Sequence, residues 1–384
     1  MPPARLRGMT WDHRRALDPL LATQAMFAQQ HPGIEIEWSS RPLHGFEFTP
    51  VAELARSYDM IILDHPFCGD IAASNCLLPL DDILAGDVRS AFVGPSLETY
   101  VYQGKTWALP VDAACQVAVS RPDLMTALDC APPADWAALL DLGRKAARHG
   151  MKLAIGLRGV HSLMTFFTLC ANLGKPCAMS PREPFADLGT ARAALEHLRD
   201  LLALCPRAAL DWNSIALHDV MVARDDLVFC PTVYCYATYA EADQRRPLRF
   251  HDFPGPCGPR GSTIGGTGLG ISAHCVNSEA ALTYARFAAK AATQSAFARH
   301  HGQPARVECW KDTEINARFG GCYRDTLRTM EGCWIRPRFA GYLGFQAKAG
   351  PLIERHLRGE IAERDLLDRL QRLFESAGRE SKGQ

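Results

Sequence analysis

Apolar positions in the first part of the chain follow two alternating rhythms. Leu6 to Thr10 is a short apolar run that predicts a buried strand, and Trp11 to Arg15 reads as a polar loop. Asp18 followed by Pro19 has the form of a helix N-cap and first helical residue. Leu17, Leu20, Leu21, Ala25 and Ala28 recur at helical spacing until His31-Pro32-Gly33 stops them. Ile34, Ile36 and Trp38 alternate with Glu35 and Glu37, the period of a half-buried strand. A short helix around Val51 to Arg56 leads into Asp59-Met-Ile-Ile-Leu-Asp64, which reads as a parallel strand covered on both faces. The order β-α-β-α-β predicts an open α/β layer. In such layers small molecules meet the carboxyl ends of the strands, and Trp11-Asp12-His13 and Asp64-His65-Pro66 fall at two such ends.

The pattern continues with strand-like runs at Lys105 to Val111 and Gln116 to Ser120, separated by Asp112-Ala-Ala-Cys. Pro132-Pro133 opens an amphipathic helix with Trp136, Leu139, Leu140 and Gly143 on one face. Met151 to Leu157 predicts a strand, followed by helices around His161–Leu173, Ala191–Leu204 and Ile215–Arg224. Leu227 to Phe229 and Arg249 to Phe253 predict two more strands. A Pro/Gly cluster from Phe253 to Gly261 precedes Ile264-Gly-Gly-Thr-Gly-Leu-Gly-Ile-Ser-Ala273. One long helix is expected from Ser278 to about His300, and the chain from about Thr313 is mostly helical.

Length and charge narrow the classes. The 384 residues suit two cores better than one. The 42 basic and 42 acidic side chains cancel, so the surplus needed to grip phosphates is missing and nucleic acid is not an expected partner. The apolar runs are broken well short of the ~20 residues that cross a bilayer. No apolar h-region follows MPPARLRGMT, and the first cysteine is Cys68, so Sec export is not expected of the chain as numbered. The 14 cysteines are scattered with no CxxC pair, which removes the strong zinc and thioredoxin patterns. They read as buried reduced thiols, which fit a cytoplasmic, reducing compartment. No cofactor or metal is expected.

Several segments, taken in order, resemble family 1 extracellular solute-binding proteins, the sugar-type binding proteins of ABC importers, similar in plan to maltose-binding protein. Cys76-Leu-Leu-Pro-Leu-Asp-Asp82 resembles their "L-x-PLDD" segment, and Tyr102-Gln-Gly-Lys-Thr-Trp-Ala-Leu-Pro-Val-Asp112 their "Y-x-GK-x-YALP-x-D" hairpin. Ser120-Arg-Pro-Asp-Leu124 resembles "Y-x-KDL", with Ser120 and Arg121 in place of the usual residues. Pro133-Ala-Asp-Trp-Ala-Ala-Leu139 resembles "P-x-TWDEL". Leu269 to Ala273 with Ser278-Glu-Ala-Ala281 resembles "LAIS-x-x-S-x-N-x-EAA", and Gly302-Gln-Pro-Ala-Arg306 resembles "G-x-x-P-x-R". The resemblance implies a periplasmic-binding-protein-like type II fold: two discontinuous α/β lobes around a central cleft. Residues 1–112 and 263–310 would form lobe 1, and 113–262 and 311–384 lobe 2. It further implies a monomer that captures a small polar organic solute, with carbohydrate among the candidates, and delivers it to an ABC permease if exported. It places the protein in the periplasm, against the signal and cysteine arguments above. A cytosolic enzyme or ligand sensor on the same fold remains a second reading, and ferric-ion binding a third.

The residues that could carry binding each have a plainer role. Asp64, His65 and Asp112 could meet hydroxyl donors; Asp64 could equally be a helix N-cap and Asp112 a turn residue. Gly268 to Ala273 fits G-x-G-x-x-A, but a dinucleotide fingerprint needs a helix opening at it and an acid ~20 residues on. Ala288 to Phe297 holds no acid. Gly265 and Gly266, with Thr267, would let backbone approach a ligand or make a turn at the hinge. Tyr234 and Tyr236 would face one side of a strand, as a ligand-facing pair, as core packing, or as the tyrosines of a ferric site. Trp11 and Trp334 could stack on a sugar face, and Arg336 could pair with an anionic group; packing and a solvated surface are their ordinary fates. His300 and His301 are adjacent and point apart on a helix, so they do not make a metal pair. No GxSxG, HExxH, P-loop or paired-carboxylate pattern is present, and no enzyme activity is expected.

Overall fold

The computed structural model describes residues 3–42, 45, 49–84 and 86–380. The first predicted rhythm becomes β1 (Ala4–Trp11), α1 (Arg14–Gln30), β2 (Ile34–Arg41) and β3 (Met60–Asp64). β1 pairs in parallel with both β2 and β3. Two short strands, β4 (Val101–Tyr102) and β5 (Lys105–Thr106), form a hairpin ahead of β6 (Leu109–Asp112). The next strands are β7 (Gln116–Ser120), β8 (Lys152–Leu153), β9 (Leu227–Tyr234), β10 (Arg249–His251) and β11 (Thr267–Ile271). They make two larger sheets, β2-β1-β3-β11-β6 and β10-β7-β9-β8.

The chain divides into two compact α/β units. Unit 1 is Met1–Ala114, Gly265–Ile315 and Arg338–Leu343; unit 2 is Cys115–Ile264, Asn316–Pro337 and Gly344–Gln384. Each unit holds one of the two sheets.

In unit 1, β11 runs antiparallel between β3 and β6. The central strand β3 has Met60, Ile61, Ile62 and Leu63 buried, as a strand covered on both faces requires. Its core takes in Met9, Leu63, Phe67, Ile71, Tyr100 and Trp107. Gly268 and Gly270 of β11 admit that core: a Cβ there would lie 2.7 Å from Tyr100 and 2.6 Å from Leu77 respectively. The G-x-G-x-x-A pattern is therefore a packing feature inside a strand, and the next helix opens only at Ser278.

Two expectations about helices are corrected. α1 starts at Arg14, one turn earlier than Asp18-Pro19 predicts, because His13 is the N-cap and its Nδ1 accepts from the Arg15 N–H at 3.0 Å. Pro19 lies inside the helix, in its second turn, where it cannot donate the bond that the Arg15 carbonyl would otherwise accept. The long helix expected from Ser278 is two helices, Ser278–Ala288 and Ala291–Arg299, with Lys290 extended as the N-cap of the second.

In unit 2 the helix Trp136–Arg148 is capped by Asp135, whose side chain accepts from Ala138 N–H, and buries Trp136, Leu139, Leu142 and Gly143. The helix Val160–Asn172 is almost wholly buried. Strand β9 is longer than the Leu227–Phe229 run predicts and includes Pro231. Arg121, which departs from the resemblance, has its side chain fully buried. Its guanidinium donates to Asp123 and Asp225 and to the Met221 and Arg224 carbonyls. No helix among the described residues is long and apolar enough to cross a membrane.

Candidate functional site

Strands β1, β2, β3 and β6 of unit 1 all point the same way, so their carboxyl ends share one sheet edge. That edge carries Trp11, Asp64 and Asp112. The antiparallel β11 brings its first residue to the same place: Thr267 stands opposite both Asp64 and Asp112. Gly265 and Gly266 lead into it. Gly265 N–H donates to the Ala114 carbonyl at 2.7 Å. Gly266 has φ +88, and a Cβ there would lie 2.4 Å from the Asp112 carbonyl oxygen. Glycine is required at this point by both conformation and close approach. Tyr100 donates from beneath to the Leu63 carbonyl at 3.2 Å.

Asp112 is neither exposed nor in a turn. It ends a buried strand and is gripped by Arg15 in a bidentate pair, Nε to Oδ2 at 2.7 Å and Nη2 to Oδ1 at 2.5 Å. Asp64 occupies the N-cap position of the 3-10 turn His65–Phe67 without a side-chain capping bond. His65 is buried and meets Tyr100 edge-on at 6.3 Å. A cavity of about 20 Å³ is lined by Trp11, Arg15, Asp112, Thr267 and Gln303, among others. It has room for about one water and none for a sugar. Gln303 braces the edge through the main chain of Ala113, accepting at its carbonyl from Ala113 N–H at 2.9 Å and donating from Nε2 at 3.3 Å.

In unit 2 the tyrosines do not share a strand face. Tyr234 is the last residue of β9, whereas Tyr236 precedes the 3-10 turn Ala237–Ala240. The Tyr234 ring lies 6.4 Å from His161 and that of Tyr236 lies 5.8 Å from His218. The backbone leaves the strand at Cys235, which separates what periodicity would have kept together. Among the described residues no group of three or more His, Cys, Asp or Glu is arranged to hold a metal ion.

His161 joins Tyr234 to Arg336. Its Nδ1 lies 3.3 Å from Ser214 Oγ. Burial, and then the Arg336 charge, push its pKa down to about 4, so the ring is neutral at physiological pH. Arg336 is buried rather than solvated and donates from Nη1 to Gln346 Oε1 at 3.1 Å. Trp334 is half-buried, packs on Phe167 at 5.2 Å and bridges Thr263 through the backbone. Sequence reasoning did not single out Arg15, Gln303, His161, Ser214 or Gln346. Gln303 alone had a signal, since it lies in the Gly302–Arg306 motif.

The sequence model of the bacterial extracellular solute-binding protein family matches residues 22–306. No curated protein matches the sequence. Solved structures match along nearly the whole chain. Maltose-bound MalE3 of T. maritima aligns with TM-score 0.82 and 19% identity, covering 97% of this chain and 99% of that one. An ABC transporter solute-binding protein of Thermotoga lettingae TMO, bound to α-D-tagatose, aligns with TM-score 0.83 and 15% identity over 97% and 99%. A solute-binding protein of Agrobacterium radiobacter K84 in complex with ribitol aligns with TM-score 0.76 and 17% identity over 98% and 99%. At these identities the likeness is one of fold.

Proposed function

Because the chain belongs to the bacterial extracellular solute-binding protein family, we propose that it captures a small neutral polyhydroxy solute, a sugar or polyol, for delivery to an ABC permease. The observation that carries this reading is the unit 1 sheet edge. There the buried Trp11 and Thr267 stand beside the half-buried Asp64, with main chain brought close by Gly265 and Gly266. One aromatic face with a few fixed hydrogen-bonding groups is what a small hydroxylated ligand needs. Maltose, α-D-tagatose and ribitol in the structural neighbours are ligands of that chemistry.

Within unit 1 the proposed ligand contacts are Trp11, Asp64, His65, Thr267 and the Gly265-Gly266 backbone. Asp112 acts there by holding Arg15 and the end of β6 in place. Within unit 2 they are Tyr234, Tyr236, Trp334 and Arg336, with His161 kept neutral beside Tyr234 and Arg336. Binding without turnover is the whole activity in this reading. The test is calorimetry with maltose, D-tagatose and ribitol, together with mass spectrometry of small molecules released from the natively purified protein. Saturable binding of one of these, or a co-purified neutral polyhydroxy compound, is expected. Trp334→Ala and Asp64→Ala should then weaken it about tenfold or more. A co-purified ligand with no hydroxyl-rich portion would overturn the proposal.

A further inference from the structure

Four cysteines of unit 2 gather where the proposed ligand contacts leave the sheet. Cys235 and Cys322 are both buried, and their sulfurs lie 3.3 Å apart. The Cys115 thiol is hydrogen-bonded to that of Cys333. Its carbonyl accepts from Cys235 N–H at 3.2 Å. No metal geometry accounts for this gathering among the described residues.

The backbone on both sides holds the Cys235–Cys322 pair face to face. Cys235 follows the last residue of β9 and lies between Tyr234 and Tyr236. Cys322 opens the helix Cys322–Asp325 and is reached through Gly320 and Gly321, whose φ values are +60 and +82. The bend at Gly320 is packed from outside, since a Cβ there would fall 1.4 Å from Arg249 Nη1. A sulfur–sulfur bond is about 2.05 Å long, so the two sulfurs must approach by only about 1.2 Å.

We propose that Cys235 and Cys322 form a reversible disulfide that fixes the Tyr234–Tyr236 segment, a redox modification site within unit 2. The oxidant is a small-molecule disulfide such as oxidised glutathione. The Cys235 thiolate attacks one of its sulfurs and expels a glutathione thiolate, leaving a mixed disulfide. The Cys322 thiolate then attacks Cys235 Sγ and expels the second glutathione thiolate. The two thiol protons end on the two glutathiones, so two protein thiols are oxidised and one oxidant disulfide is reduced. Cys235 reacts first because it is the less buried of the pair, 6% exposed against 1%. In the neighbouring Cys115–Cys333 pair, burial, and then the Cys333 and Cys235 thiols, hold the Cys115 pKa well above its ordinary value, so the Cys115 thiolate that would have to close a bond to the more exposed Cys333 is scarce.

The bond joins residues 87 apart in sequence. Closing so long a loop restricts the unfolded chain and should raise the unfolding midpoint of unit 2 by roughly 5–15 °C. The experiment equilibrates the full chain with graded ratios of oxidised to reduced glutathione under native conditions. It is followed by acid quench, alkylation, peptide mapping and hydrogen–deuterium exchange. The expected result is a Cys235–Cys322 peptide as the main disulfide, reversed by dithiothreitol. Amide exchange across residues 234–240 should slow at least tenfold on oxidation. Cys322→Ser and Cys235→Ala should each abolish the thermal shift. Mapping of the unsubstituted protein decides the matter even if a variant fails to fold. A main disulfide at Cys115–Cys333, or Cys235 and Cys322 still fully alkylatable after denaturation, overturns the proposal. A mapped Cys235–Cys322 bond with unchanged exchange at 234–240 overturns the claim that it fixes the segment. None of these readouts needs a ligand, so failure here is distinct from failure of the sugar reading.

Discussion

Removing the Asp112 carboxylate should destabilise unit 1 more than any surface substitution. The Arg15 and Asp112 side chains are 5% and 7% exposed and share two short charge-assisted hydrogen bonds. Asp112→Ala leaves the guanidinium buried without the charge that balances it, a loss of about 3–5 kcal/mol. For a unit of this size each kcal/mol moves the midpoint by ~2–4 °C, so the transition should fall by roughly 6–20 °C. The cost arises from stranding one charge, not from losing an attraction. The paired replacement Arg15→Met with Asp112→Leu, which removes both charges and keeps the volume, should therefore return to within about 2 kcal/mol of the parent. Calorimetry suits the measurement because two units need not melt together, and urea titration followed by tryptophan emission gives an independent free energy. Two results would refute the reasoning. One is a loss below ~1 kcal/mol for Asp112→Ala. The other is a paired variant as unstable as the sum of its single substitutions.

Three further outcomes follow from the same geometry. His161 has its folded pKa pushed down from 6.5 to about 4 by burial and then by Arg336, so the unfolded chain takes up the proton first as pH falls. The stability it confers is full above about pH 6.5 and is lost as pH drops toward 4, by about 3 kcal/mol at most. Urea midpoints between pH 7.5 and 4.5 should fall less steeply in His161→Gln. Gly266→Ala should cost roughly 2–4 kcal/mol, because φ +88 is unfavourable for alanine and the new methyl meets the Asp112 carbonyl at 2.4 Å; an unchanged thermal midpoint would contradict this. Arg121→Lys should lose about 2–3 kcal/mol, since an ammonium cannot reach two carboxylates and two carbonyls from one fixed plane. A Lys variant as resistant to urea as the parent would refute that.

Strand ends were legible in the sequence because a buried parallel strand leaves an apolar run with an abrupt polar end. Trp11 and Asp64 both follow such runs, so their placement on one sheet edge could be anticipated. The start of α1 departs from the local signal because a tertiary contact overrides it. Asp18-Pro19 has the right chemistry for a cap, but His13 caps the helix and the bond from Arg15 to Asp112 fixes the turn ahead of it. Nothing in the adjacent Arg14-Arg15 pair says which faces inward. A period of two puts Tyr234 and Tyr236 on one face only while the strand lasts, and β9 ends at Tyr234. Arg336 looked like a surface residue because its partner Gln346 lies ten positions away on another segment. The scattered cysteines were legible as buried thiols; the nearness of Cys235 to Cys322 was not, because contacts across such a separation leave no local trace.

The position of β11 bears on how the chain is made. β3 and β6 are complete by Asp112, yet the strand that joins them, Thr267–Ile271, lies about 160 residues further on. At ribosomal speed that interval lasts roughly 10–30 s. Throughout it the nascent chain carries two apolar strand edges with no neighbour, while the stretch that builds most of unit 2 emerges. Vectorial synthesis therefore cannot finish the first unit before the second has begun. Holdase capture during that window should favour the segment around Met60–Leu63, and moving Gly265–Ile315 ahead of Cys115 by circular permutation should shorten it.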